Sequence, residues 1–289
     1  MFSPDSGTSR RPVPEVLRKV TAFTQDVHSL IAHKKLKCGE KINVFSPLRK
    51  EFERWKEILE SSGNNFYEKI QDQEVYEEKY RGKELPGFDN FETFEDMVTD
   101  QIKQSEEPAI SVLKNAGDCI KEMFLQLVNS HFKGFPNLLR SAKNHIESVK
   151  QDMETTAEVM LRKQFRMEMV VYTQDKYYRD TLSQYDNNNH LNKKVMSDEA
   201  KLQELIVHIK SYYKIASERL ADQIPIVICY QMLEELASEV NKKMLQMIQE
   251  KDKIESLLKE DHDLGKKRAD LQSRQKSLTE AREKLDTFC

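Results

Sequence analysis

Apolar residues recur at three- and four-residue steps along almost the whole chain, and this spacing restricts the fold more than any other feature. Val16, Leu17, Val20, Phe23, Val27, Leu30 and Ile31 begin the pattern. Leu48, Phe52, Trp55 and Leu59 repeat it, as do Leu113, Ala116, Ile120, Phe124 and Leu127. Side chains at that spacing share one face of a helix. No strand-like alternation of useful length occurs. Only eight glycines and eight prolines punctuate 289 residues, so turns are few and elements long.

The breakers set the expected boundaries. Pro14 suits the first turn of a helix that stops near Cys38–Gly39. Ser46–Pro47 reads as a cap followed by a first-turn proline, opening a helix that runs toward Tyr80 with a weak point at Gly63–Asn65. A further helix starts around Phe94, Val98 and Ile102, is expected to kink at Pro108, and ends at a turn over 131–135. Leu139, Ala142, Ile146, Val149, Met153, Met160 and Phe165 mark a third long helix ending near Leu182. A polar loop is expected over Tyr185–Asp198. A fourth helix then carries Leu202, Leu205, Ile209, Tyr213, Ala216 and Leu220, meets Pro225 and resumes to Leu258, with Gly265 ending it. Leu264, Leu271, Leu278 and Leu285 fall one heptad apart, a seam too narrow for a core face and suited to a coiled coil.

Four long helical segments joined by short connections make an elongated, antiparallel, all-α four-helix bundle the expected fold. A segment of about 40 residues would be roughly 60 Å long, giving a rod. Residues 1–14 are expected to be a disordered tail, 15–199 the main helices, and 200–289 the last bundle helix plus the C-terminal seam.

Composition excludes several functions. One third of the residues are charged, yet the net charge is only −3, so the total attracts neither nucleic acid nor an anionic membrane. Cys38, Cys119, Cys229 and Cys289 form no CxxC and read as free thiols. The N-terminus lacks an apolar segment of the secretory type, and the longest apolar run, from Ile224 to Tyr230, is too short to span a bilayer; a cytoplasmic location is expected. The seven histidines are scattered, and His28 and His33 lie five apart, off a shared helical face. No Ser–His or Cys–His pairing is readable. No catalytic, cofactor-binding or metal-ligating residue is therefore assigned.

One stretch departs from the helical rule. Glu78–Glu95 reads EKYRGKELPGFDNFETFE, with Gly82, Pro86 and Gly87 interrupting two amphipathic helices. Tyr80, Arg81, Lys83, Leu85 and Phe88 are far more chemistry than a spacer requires. The stretch resembles the loop after the first stalk helix of Mx proteins, the interferon-induced members of the dynamin superfamily. Supporting blocks occur in the family order: LRKVTAFTQDV from Leu17, LRKEFERW from Leu48, RMEMVVYTQDKYYRDTL from Arg166, QIPIVICYQML from Gln223 and KKMLQMIQEKDKIESLLKE from Lys242. The resemblance covers roughly residues 15–288 and identifies the segment from about 200 onward as similar to a GTPase effector domain.

The resemblance implies a self-assembling stalk. By it, Arg49 and the tetrapeptide Tyr80, Arg81, Gly82 and Lys83 match assembly-interface positions. Met167 and Tyr230 match the interface that forms the stalk dimer, although pattern alone puts Met167 in the core. Lys242, Leu245 and Ile248 match a contact region near the end of the fourth helix. The implied partners are further copies of the chain, full-length Mx proteins and, as family targets, viral nucleoprotein or microtubules. The family's lysine-rich loop is represented only by Tyr185–Asp198 with Lys193 and Lys194, so membrane binding does not carry over. The family is a GTPase family, but these 289 residues contain no GxxxxGK[ST], no DxxG and no [TN]KxD. Without that amide cradle and magnesium-binding hydroxyl, no GTP or magnesium site is expected. Three readings follow: an assembly protein acting with complete Mx GTPases in the antiviral response, an incomplete Mx-type GTPase, or a generic coiled-coil adaptor.

Overall fold

The structure, a computed structural model, describes residues 12–71, 91–189, 198–249, 254, 256–257 and 262–286. Among them every regular element is helical, which makes the chain all-α. The helices are α1 (Pro12–Ile31), α2 (Phe45–Gln71), α3 (Phe91–Gln104), α4 (Glu106–Phe132), α5 (Pro136–Glu168), α6 (Lys176–Asn189), α7 (Asp198–Cys229), α8 (Leu236–Gln249) and α9 (His262–Asp286). A π-helical segment, Tyr230–Glu235, joins α7 to α8. The Tyr80–Lys83 tetrapeptide and most of the Asn-rich loop lie outside the described residues.

The chain divides into two compact units. One comprises residues 1–43, 121–150 and 236–289; the other comprises 44–120 and 151–235.

In the first unit, Val16, Val20, Phe23, Val27 and Leu30 bury one face of α1, while Leu17 faces out. Phe23 meets Phe132 at 5.4 Å between ring centroids. Burial of such side chains contributes about 1.5–3 kcal/mol each. α1 packs against α8, and Asn241 on α8 hydrogen-bonds His28 at 3.1 Å. The first helix ends at Ile31, short of the expected Cys38–Gly39. His33 adopts a left-handed φ of 56°, which turns the chain; a second positive φ, 81°, falls at Gly39, where glycine carries no penalty.

The second unit is organised around Trp55, which has no exposed surface. Its indole N–H donates to the Leu220 carbonyl at 3.0 Å, and its ring meets Phe165 edge-on at 6.5 Å. A buried indole needs such an acceptor. α7 packs against α2, α3 and α6. α2 runs unbroken through Gly63, the expected weak point. The glycine serves packing: a Cβ there would stand 3.0 Å from Tyr213 Cε1, tighter than nearly all real contacts.

Four further boundaries differ from the sequence reading. Pro108 does not kink a continuous helix. The break falls at Ser105, and Pro108 sits in the first turn of α4, where a missing N–H costs nothing. Arg162 ties that turn down, reaching Glu106 and Glu107 at 2.8 Å each. The third helix ends at Glu168 rather than near Leu182, and a second helix, α6, runs through Asn189, well into the predicted polar loop. Val170, Val171 and Thr173, β-branched residues around Tyr172, lower helix propensity at the break. Asp175 then caps α6, its Oδ1 accepting the Tyr177 N–H at 2.7 Å. The stripe on α5 also rotates: Ala157, Leu161 and Phe165 are buried, whereas Met160 turns outward. Lastly, Gly265 lies inside α9 instead of ending the preceding helix.

Candidate functional site: an exposed apolar face in the second unit

α5 and α7 run antiparallel within the second unit. Gln231 donates to the Met153 thioether at 3.3 Å, and at the opposite end Arg219 meets Glu168. Met160 and Met167 are seven residues apart on α5, hence on one face. Ile226 lies near the end of α7, and Tyr230, four residues on, opens the π-helical segment. All four are solvent-exposed; Met167 is 51% and Tyr230 47% accessible, so neither belongs to the core. Pattern alone misassigns Met167, because methionine at a helical repeat so often fills a core gap. Val159, Val170 and Tyr172 add further exposed apolar surface to the same unit.

Local chemistry holds this face in shape. Glu168, the last residue of α5, is 6% exposed and accepts two bonds from Arg219, Nε to Oε1 at 3.0 Å and Nη2 to Oε2 at 2.6 Å. The Glu168 carboxylate holds the Arg219 guanidinium above its ordinary pKa against the opposing effect of burial. Arg219 also stacks over the Tyr212 ring, and the Tyr212 hydroxyl accepts the Tyr172 N–H at 3.2 Å. The segment after Met167 is thus anchored on both sides. Tyr230 opens the π-helical segment five residues beyond Pro225, which lacks the N–H that would bond the Ala221 carbonyl. Its hydroxyl donates to Glu235 at 2.8 Å. Such π segments concentrate at functional sites, a signal the apolar periodicity does not carry.

The other sequence-derived positions fall elsewhere. Arg49 is exposed on the first turns of α2. On α8, Lys242 and Leu245 are exposed and Ile248 half-buried; Lys242 pairs with Glu239 at 3.1 Å. α8 belongs to the first unit and α2 to the second. Tyr80, Arg81, Gly82 and Lys83 lie outside the described residues. On α9, Leu271 and Leu278 are 65% and 71% exposed, as expected of a seam without a core beneath it; the side chains of Leu264 and Leu285 are not among those described. Cys38, Cys119 and Cys229 are free thiols, and Cys289 lies outside the described residues. No helix among the described residues is long and apolar enough to cross a membrane. One grouping escaped the sequence reading altogether: Asp26, Cys38 and His131 come together in the first unit.

Comparison with known proteins assigns the class of this all-helical chain. The sequence profile of the dynamin central region matches residues 4–187, and that of the dynamin GTPase effector domain matches residues 197–288. The chain belongs to the dynamin family and carries these two regions of it. Within that family it is similar to the interferon-induced GTP-binding protein Mx of Epinephelus coioides, 54% identical over 289 residues that cover 94% of this chain and 46% of the relative. The interferon-induced GTP-binding protein Mx3 of Oncorhynchus mykiss is 52% identical over 285 residues, with the same coverage. Mx1 of Ictalurus punctatus, of the same description, is 48% identical over 310 residues, covering 98% of this chain and 48% of the relative. The chain therefore spans about half the length of the curated relatives it matches. The family match decides against an unrelated coiled-coil adaptor.

Proposed function

We propose that these residues form the assembly module of an Mx-type, interferon-induced antiviral protein. In this reading residues 15–199 are the stalk and 200–289 the effector region. The module binds further copies of itself and complete Mx proteins in the cytoplasm, and contributes no nucleotide site of its own. The supporting observation is that Met160 and Met167 on α5, Ile226 near the end of α7 and Tyr230 at the start of the π-helical segment are all solvent-exposed apolar side chains of the second unit. Two antiparallel helices that each present apolar side chains to solvent suit a two-fold, self-complementary interface, in which Met167 of one copy is covered by the other copy. Arg49, the Tyr80–Lys83 tetrapeptide, Lys242, Leu245 and Ile248 then extend the dimer into larger assemblies. Viral nucleoprotein or microtubules would be the targets of such an assembly. No phosphate-loop, DxxG or [TN]KxD motif occurs in the 289 residues, so GTP and magnesium bind elsewhere in the assembly.

The test is co-sedimentation of the purified protein with a full-length Mx GTPase, followed by turnover assays. Co-sedimentation and altered GTP hydrolysis by the full-length protein are expected, with no saturable binding of a GTP analogue to this protein alone. Independent sedimentation with unchanged turnover would overturn the co-assembly reading.

The 46% coverage of the relatives favours a second reading, in which the module is half of one longer Mx-type GTPase. A transcript joining this region in frame to a phosphate loop would establish it.

A further inference from the structure

We propose that Asp26, Cys38 and His131 form a binding site for a divalent transition-metal ion of the zinc class, built from α1, the loop after it and the end of α4. The three side chains come from positions 12 and 105 residues apart along the sequence from Asp26. Their ligand atoms all lie within 4.8 Å of one another. A tetrahedral zinc ion with bonds of about 2.0–2.3 Å holds its ligand atoms about 3.5 Å apart, so small side-chain rotations close the site.

The fold commits substantial local structure to bringing these groups together. The left-handed turn at His33 and the positive φ at Gly39 bracket a loop that doubles back on α1. Asp26 is wholly buried, and its two oxygens accept the N–H of Lys37 at 2.6 Å and of Cys38 at 2.8 Å. His131 Nε2 stands 2.9 Å from Asp26 Oδ2, and its side chain is 9% exposed. Cys38 is half-buried, which leaves an approach for the ion and for a water as fourth ligand.

Nucleophilic catalysis fits the same residues poorly. In a Cys–His–Asp triad the imidazole lies between thiol and carboxylate. Here the carboxylate lies between: Asp26 Oδ2 accepts the Cys38 backbone N–H at 2.8 Å and stands 2.9 Å from His131 Nε2. The imidazole is therefore turned away from the role of general base to sulfur.

Metal binding satisfies every group. Cys38 loses its thiol proton to solvent and binds as thiolate; Asp26 binds through Oδ2 and keeps its bond from the loop through Oδ1. His131 releases the Nε2 proton that faces Asp26 to solvent, carries its remaining proton on Nδ1, and binds through Nε2 as neutral imidazole. One divalent cation, one thiolate and one carboxylate sum to zero charge, which removes the penalty for burying an unbalanced ion. Thiolate with imidazole selects zinc or cobalt over magnesium or calcium.

The test uses the full chain, reduced and stripped of metal, titrated anaerobically with Co²⁺. One equivalent is expected to bind with a thiolate-to-cobalt charge-transfer band in the near ultraviolet and strong visible bands of tetrahedral cobalt, all displaced by Zn²⁺. Cys38→Ser keeps a small polar side chain and leaves the backbone N–H donor to Asp26 in place, so circular dichroism should be unchanged while the charge-transfer band vanishes. His131→Gln should weaken binding by more than the about 10–100-fold that loss of an outer-shell partner costs. A Cys119→Ser/Cys229→Ser variant should bind as before. Absence of the band, its persistence in Cys38→Ser, or its loss in the Cys119/Cys229 variant would each overturn the proposal.

Discussion

Glu168 and Arg219 form a two-point ion pair, Nε to Oε1 at 3.0 Å and Nη2 to Oε2 at 2.6 Å, that pins the end of α5 to the middle of α7. The pair stands directly after Met167, where the chain leaves the helix for the Met169–Asp175 connection. It therefore sets the geometry of the proposed interface from within a single chain.

Arg219→Met leaves the Glu168 carboxylate buried without its counter-charge. Breaking a buried pair costs about 3–5 kcal/mol, and the lower end is expected because the Arg219 side chain is 31% exposed. Urea unfolding should show a loss of about 3 kcal/mol. Glu168→Leu combined with Arg219→Met should recover most of it, because no charge is then stranded. An unstable double variant of the same magnitude would assign the loss to packing of the Arg219 stem instead.

Stability should fall as the solution becomes mildly acidic, through His208. Burial holds its imidazole below the ordinary 6.5, against the opposing charges of Glu204 and Asp186. Its Nδ1 stands 2.8 Å from the Tyr178 hydroxyl, an arrangement that suits the neutral ring as acceptor. A depressed histidine pKa means the unfolded chain takes up the proton first. The contribution is thus complete above pH 6.5 and is lost as pH falls through the lower folded value. Thermal melts from pH 8 to 5 should show a declining midpoint that His208→Gln flattens. Asp26 acts in a separate window. Burial tends to raise its pKa, but bonds from Lys37, Cys38 and His131 outweigh it and hold the carboxyl below 3.8, so its contribution is lost only in stronger acid.

The exposed leucines of α9 should matter to association and not to folding. Leu271→Ser with Leu278→Ser alters side chains that are 65% and 71% accessible, so unfolding free energy should stay within about 0.5 kcal/mol. Hydrogen exchange over 271–283 should be fast in the dilute protein and slow when a full-length Mx partner is added. Each leucine buried in that partner would contribute about 1.5–3 kcal/mol. Slow exchange already present in the dilute wild-type chain, unchanged by the partner, would contradict this use of the helix.

The helical character of the chain is legible because apolar spacing reports burial directly: Val20, Phe23 and Val27, and Leu113, Ala116 and Ile120, are all buried as the pattern requires. Boundaries were harder to read where tertiary partners decide them. Gly63 looks like a breaker until Tyr213 is seen against it, and the ends of α5 and α6 rest on Tyr212, Arg219 and a local Asp175 cap. Met160 and Met167 illustrate a second limit. A helical repeat shows which residues share a face, but not whether that face is covered within the chain or outside it. The Asp26–Cys38–His131 grouping was invisible for a third reason, since 105 residues separate Asp26 from His131 and no local spacing joins them.

Sedimentation velocity of the wild type beside Met167→Asp and Tyr230→Asp is the most direct test of the assembly account. Both side chains are about half exposed, so each variant should keep its helical circular dichroism and thermal midpoint. Wild type should sediment as dimers or larger species whose size grows with concentration. Each aspartate would bury an unpaired carboxylate at the interface, costing several kcal/mol, of the order of the 3–5 for a broken buried pair, and should shift the protein to monomer. Monomeric wild type at all concentrations, or variants that sediment as wild type does, would contradict the account.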